Sequence, residues 1–223
     1  MRIRSIRFHF IIVVLTSLLH FACGIDTLNY LGSDIMPVFI SQGENGLIFA
    51  GPINPAIPPY SGINLYYRIY ASETEAISDR SRLEQRQSSD SVPGSSVSSF
   101  LETTLRYIRP ARNESRDPPT IPATIESSSM RIELIDGRLF LEIGSTSSYE
   151  LNRNLPGSLL NDFSIKPVDE DSDYNKVLPD PADPGPLYVQ FFAASYGFNF
   201  LGSNPELFSN AVFLGRIVLP ETD

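Results

Sequence analysis

The ready nucleophiles and bases of this chain are few and lie at one end. Cys23 is its single cysteine, and His9 and His20 are its two histidines. A Ser-His-Asp triad or a Cys-His pair needs an imidazole base. A chain cut near residue 22 keeps no histidine, so it cannot make either arrangement. Nor can it build a zinc site from His and Cys ligands. What remains for chemistry is oxygen, in carboxylates, hydroxyls and phenols.

One group of carboxylates has ligand-like spacing. Asp169, Asp171 and Asp173 stand two apart, and Asp180 falls on the twelfth position of the same count. That is the pattern of a calcium loop. Tyr174 holds the place of the turn glycine, however, and Asp180 that of the usual glutamate. Pro167, Pro179, Pro181 and Pro184 leave no room for flanking helices. A solvated acidic loop is the simpler reading. Calcium is the one cofactor the spacing admits; otherwise none is expected. Neither GxxxxGK[ST] nor GxGxxG occurs, and nothing points to a carboxylate pair placed for hydrolysis.

A second group is aromatic. In Leu65–Tyr70 the pattern alternates, so Leu65, Tyr67 and Ile69 share one face of a strand and Tyr66, Arg68 and Tyr70 the other. An open face of two tyrosines and an arginine could grip a ligand. The simpler reading is the plain outer face of a sheet.

The leader decides where these groups would work. Arg2, Arg4 and Arg7 precede an apolar run from Phe10 to Leu19, and Ala22-Cys23-Gly24 supplies small residues after it. Charge, apolar run and small residues in that order form a secretory signal peptide over residues 1–22. The run is too short to span a bilayer. Leu18, Leu19, Ala22 and Gly24 around Cys23 resemble a bacterial lipobox, with His20 where an apolar residue is usual. That resemblance implies lipidation of Cys23 and a tether over residues 23–33. Cleavage after Gly24 would instead discard Cys23 and release the domain. One cysteine leaves no disulfide framework.

The formal charge is −9, and loss of the three leader arginines takes it to −12. So acidic a surface repels phosphate backbones, which argues against a nucleic-acid partner.

The elements that would position these residues read mostly as strands. Residues 34–223 suit one domain, with apolar segments near Leu47–Ala50, Leu65–Tyr70, Leu187–Phe200 and Ala211–Leu219 bounded by Pro and Gly turns. Pro37 places the segment Ile35–Ser41 at a sheet edge. Asp136-Gly137 signals a two-residue hairpin. Its register pairs Leu134 with Leu139, Ile132 with Leu141 and Met130 with Ile143, and sets Arg131 opposite Glu142. Residues 72–129 break the β pattern. Ser72 and Glu75 make a capping box before one helix. Val97, Phe100, Leu101, Leu105 and Ile108 make the apolar stripe of a second, from Val97 to Ile108. This segment reads as a helical and flexible insertion, and residues 145–186 as an irregular acidic loop.

The whole pattern indicates an all-β sandwich. Residues 65–70, 188–197 and 212–219 resemble the third, sixth and seventh strands of a fibronectin type III or immunoglobulin-like module. With the lipobox, the chain resembles spirochaete-type bacterial lipoproteins. The resemblance implies a membrane partner through lipid on Cys23 and a place in the bacterial cell envelope. It brings no catalytic residues. The function expected is non-enzymatic: a binding or adhesion module for an unidentified protein or glycan. An assembly partner within the envelope is the alternative, and a carboxylate-dependent glycan hydrolase a third class.

Overall fold

The computed structural model describes residues 31, 35–43, 45–52, 60–90, 94, 96–113, 115–124, 129–145, 147–155, 162–164, 167–177, 185–198 and 206–219. The leader, Cys23, the tether up to Tyr30 and Asp180 lie outside them. Among the described residues no helix is long and apolar enough to cross a membrane.

The chain makes strands β1 (Val38–Gln42), β2 (Gly46–Ala50) and β3 (Tyr60–Tyr70) before its first helix, α1 (Glu73–Ser89). A second helix, α2, opens as an α-turn at Val97–Ser99 and widens into a π-helix over Phe100–Thr104. Short strands β4 (Ala111–Arg112) and β5 (Ile121–Pro122) follow, then β6 (Met130–Ile135), β7 (Arg138–Ile143) and β8 (Ser147–Asn152). The last are β9 (Tyr174–Asn175), β10 (Leu187–Phe198), β11 (Glu206–Phe208) and β12 (Val212–Leu219).

Two sheets result. The first has the order β1-β2-β6-β7-β8-β4; the second has β11-β10-β3-β5, with β12 also on β10 and β9 on β3. All pairings are antiparallel except β3 with β9. Leu47, Phe49, Ile132, Leu139 and Leu141 of the first sheet meet Leu65, Tyr67, Ile69, Val189 and Phe191 of the second in one buried core. The expected all-β sandwich is therefore present.

The helices add a third layer. Tyr66, Tyr70, Phe192 and Ala194, on the far face of the second sheet, are buried with Ala76, Leu83, Val97, Leu101 and Leu105. Covered on both faces, β3 and β10 have little need of polar alternation, and they show little. The last strand has a further reason. A bulge opposite Phe191/Phe192 changes which residues face the sandwich, from Leu214 before it to Ile217 and Leu219 after it. Gly215 sits in this bulge with φ +130°, and a Cβ there would meet Gln42 Oε1 and Leu47 Cδ2 at 2.5 Å.

The β6–β7 hairpin has the register read from its turn, with Met130 opposite Ile143, Ile132 opposite Leu141 and Leu134 opposite Leu139. Asp136 and Gly137 both have positive φ, 50° and 78°, as a type I′ turn requires. Arg131 stands opposite Glu142, but its guanidinium takes Glu133 instead, at 2.7 Å along its own strand.

Three segments differ from expectation. The first helix runs on to Ser89, well into the insertion that reads as helical and flexible. The second ends at Leu105, not Ile108, because Arg106 turns to φ 55° and Ile108 exchanges backbone hydrogen bonds with Tyr67. Residues 147–152, read as irregular, form β8; their polar composition hid a strand that buries Leu151 fully.

Candidate functional site

The face of Tyr66, Arg68 and Tyr70 is not open. The helical layer lies on it, leaving both tyrosines 0% exposed and the Arg68 side chain 12% exposed. Arg68 and Tyr70 join a network around Asp79 of α1. Asp79 Oδ2 accepts from Arg68 Nη1 at 3.0 Å and from the Tyr70 hydroxyl at 2.8 Å. Its Oδ1 accepts from Arg82 Nη1 at 3.0 Å. The Tyr70 and Tyr107 hydroxyls are 2.8 Å apart, and Gln190 Nε2 donates to Tyr107 at 2.6 Å and to the Ala76 carbonyl at 2.9 Å. Burial pushes the phenols of Tyr66, Tyr70 and Tyr107 up, so they stay protonated. The network clamps a helix to a sheet.

The acidic run is also committed. Asp173, fully buried, takes a two-pronged contact from Arg153: Nε to Oδ2 at 2.9 Å and Nη2 to Oδ1 at 2.7 Å. The same Nη2 reaches Asp171 Oδ2 at 2.6 Å, and the Tyr67 hydroxyl donates to Asp173 Oδ2 at 2.7 Å. Burial works against the Arg153 charge, but the Asp173 hydrogen bonds and charge, with Asp171, more than reverse this and raise its pKa. Asp169 pairs with Lys176 at 3.2 Å in solvent, and Asp180 lies outside the described residues. The Arg153 guanidinium thus meets both Asp171 and Asp173. Among the described residues, no group of three or more His, Cys, Asp or Glu is placed to hold a metal ion.

Sequence reasoning missed Arg153, although a signal was present. Leu151, Arg153 and Leu155 stand two apart and are all buried, so an arginine fills the core-facing slot of an apolar alternation. No comparable local pattern announces Asp79.

An open site lies where the second sheet frays. One long edge of β3 is covered by β10, but the other meets only short pieces: β5 at Gly62 and Ile63, Ile108 at Tyr67, and β9 at Ile69 and Tyr70. Beside Ile108 is a groove of about 460 Å³, lined by Glu102, Arg106, Tyr107, Ile108, Arg109, Asn154 and Ser172. That is within the usual range for small-ligand sites, about 300–1,000 Å³.

Each wall has a structural cause. The π-turn of α2 presents Glu102. The backbone then reverses at Arg106, a non-glycine residue in the left-handed region, before Ile108 docks on β3. Asn154 is held by its own N–H donating to the Tyr67 hydroxyl at 3.1 Å and its Nδ2 to the Arg109 carbonyl at 3.1 Å. Ser172 rides on the loop that the Arg153 pair locks. Widened helices and left-handed residues cost free energy and concentrate at functional sites.

Glu102 and Arg109 face each other at 3.5 Å, a loose contact with side chains 37% and 29% exposed. Burial raises the Glu102 pKa above its ordinary 4.5; Arg109 lowers it and Glu206 raises it. Among the described residues, Arg106 is exposed and has no hydrogen-bond or ion-pair partner. Among the described residues, the groove therefore holds one guanidinium without a partner and one loosely held.

No family model, curated protein or solved structure was found to match this chain, so the reading of the groove rests on its own geometry.

Proposed function

We propose that this chain is an exported protein of the bacterial cell envelope, moored by lipid on Cys23, that works as a non-enzymatic binding module through the groove beside β3. The observation that carries the reading is Arg106, on left-handed backbone at the wall of that groove and without a partner among the described residues. The carboxylates of the other polar clusters, Asp79 and Asp173, are already taken up by arginine and tyrosine donors. Among the residues lining the groove, Glu102 is the one carboxylate, whereas glycoside hydrolysis uses a pair.

The fibronectin type III reading is supported by one sheet. The order β3-β10-β12 follows the C-F-G arrangement of such modules. In the other sheet the strand beside β2 is β6, the first of the β6-β7-β8 meander, whereas the A-B-E-D order places a later strand there. We therefore extend the family reading no further than the C-F-G-like sheet.

The assembly reading has its own observation. All of β1 is exposed at the edge of its sheet, with Val38 46%, Phe39 41% and Ile40 53% exposed. Such an edge is a ready surface for another chain.

Two measurements test the proposal. A clickable fatty-acid probe should label the protein in cells and fail to label Cys23→Ala; equal labelling removes the lipid anchor. The full chain, incubated with solubilised envelope material, should retain a component that Ser172→Trp, which fills the groove, does not. Equal retention removes the groove from the binding role. Loss of retention in Phe39→Ser with Ser172→Trp unaffected moves the role to β1.

A further inference from the structure

The donor and acceptor inventory of the groove is lopsided. Arg106 and Arg109 bring two guanidinium forks, and a guanidinium donates but cannot accept. The Arg106 fork has no described partner, and the Arg109 fork has only the 3.5 Å contact with Glu102. The Asn154 amide NH₂ is already engaged with the Arg109 carbonyl, which leaves its oxygen for a ligand donor. The Ser172 hydroxyl is exposed at the rim. An acceptor-rich ligand with one or two donors of its own would complete this set.

Charge narrows the class. Two arginines against Glu102 leave the lining one unit positive in a chain of net −9. A local charge of one unit suits a single negative group. The acidic remainder repels extended polyanions, although screening over about 8 Å confines that repulsion at physiological salt. Planar, two-pronged recognition by arginine favours a carboxylate.

We propose that the groove binds a carboxylate carried on a small polar molecule, gripped by Arg106, with Arg109 recruited to it from Glu102. This names the ligand class for the binding role argued above and rests on that reading. The ligand oxygens replace the loose Glu102 contact with close hydrogen bonds from Arg109. Glu102 is thereby a competing internal carboxylate that holds Arg109 ready while the groove is empty.

Titration calorimetry on the full chain tests this with three probes of similar size: glucuronate, glucose and glucose 6-phosphate. Glucuronate should bind and glucose should not. Arg106→Gly is the informative variant, because glycine accepts the left-handed backbone and only the guanidinium is lost. It should weaken glucuronate by about ten- to a hundredfold. Glu102→Gln should tighten glucuronate several-fold at neutral pH by freeing Arg109.

No glucuronate binding at millimolar concentration, equal binding of glucose, or no effect of Arg106→Gly overturns the proposal. Tighter binding of glucose 6-phosphate replaces the carboxylate with a phosphate and overturns it too. If these fail while Ser172→Trp still abolishes retention of an envelope component, the ligand class is wrong and the groove reading stands. If that retention is also insensitive to Ser172→Trp, both fall.

Discussion

Arg153 and Asp173 form a two-pronged ion pair in which neither side chain has any exposed surface. The pair stands between the sheets, where Tyr67 adds a third hydrogen bond to the same carboxylate. Removing Arg153 leaves the buried Asp173 charge without its cation, which costs about 3–5 kcal/mol. Arg153→Met should lower stability by that amount in denaturant titration, and Asp173→Asn by less, because Asp171 stays within 2.6 Å of Arg153. The double variant Arg153→Met/Asp173→Leu should recover most of the loss, because the fully buried charge is then gone and the Asp171 carboxylate left behind is partly exposed. A double variant as unstable as the sum of the singles would show that the pair contributes more than its own satisfaction.

Helix α1 has 17 residues, yet its buried set is Ala76, Asp79 and Leu83. So little apolar area points to docking by polar contacts. Asp79 holds Arg68, Tyr70 and Arg82, while Gln87 exchanges hydrogen bonds with the backbone of Ala211. Asp79→Ala should release the helix and leave the sandwich folded. Hydrogen exchange should show lost protection over 73–89 with β6 and β7 unchanged. Uniform loss across both layers would mean that helix and sandwich unfold together.

At Gly215 the left-handed backbone and the approach of Gln42 and Leu47 act together. Gly215→Ala should cost about 1–3 kcal/mol, measured as a lowered urea midpoint with an unchanged slope. A near-neutral alanine would show that β12 and β1 can separate without cost.

Glu102 sets a pH dependence whose sign follows from its environment. Burial holds its carboxyl above 4.5; Arg109 and a hydrogen bond with Ser98 pull it down, and Glu206 pushes it up. Its charge in turn raises the phenol of buried Tyr66. Between 4.5 and the raised value, the folded chain binds a proton that the unfolded chain has lost. Stability is therefore highest below 4.5 as far as this group is concerned, and falls as pH rises through that window. Glu102→Gln should flatten the Tm profile there and raise Tm above it. A profile unchanged by the substitution would remove Glu102 as the cause.

Several features were legible because they are local. Asp136-Gly137 selects a type I′ turn, and the turn then sets which of Met130, Ile132 and Leu134 meets which partner. Ser72 caps α1 by accepting from the Glu75 N–H at 3.4 Å, as the spacing of the two residues implied. The apolar strands were marked by short apolar runs between Pro and Gly turns. All of these depend on residues a few positions apart, whose geometry the backbone dictates.

Burial and pairing across the chain were settled by the tertiary structure alone. Tyr66, Arg68 and Tyr70 alternate as an outward face should, but only the packing of residues 73–104 onto them makes that face interior. Asp171 and Asp173 have the spacing of metal ligands, but a guanidinium 18 and 20 positions away, at Arg153, claims them. The groove joins residues 102–109 to 154 and 172, and no period or motif connects such positions. Strand spacing dictates which side of a sheet a residue faces, while what lies on that side depends on contacts between distant segments.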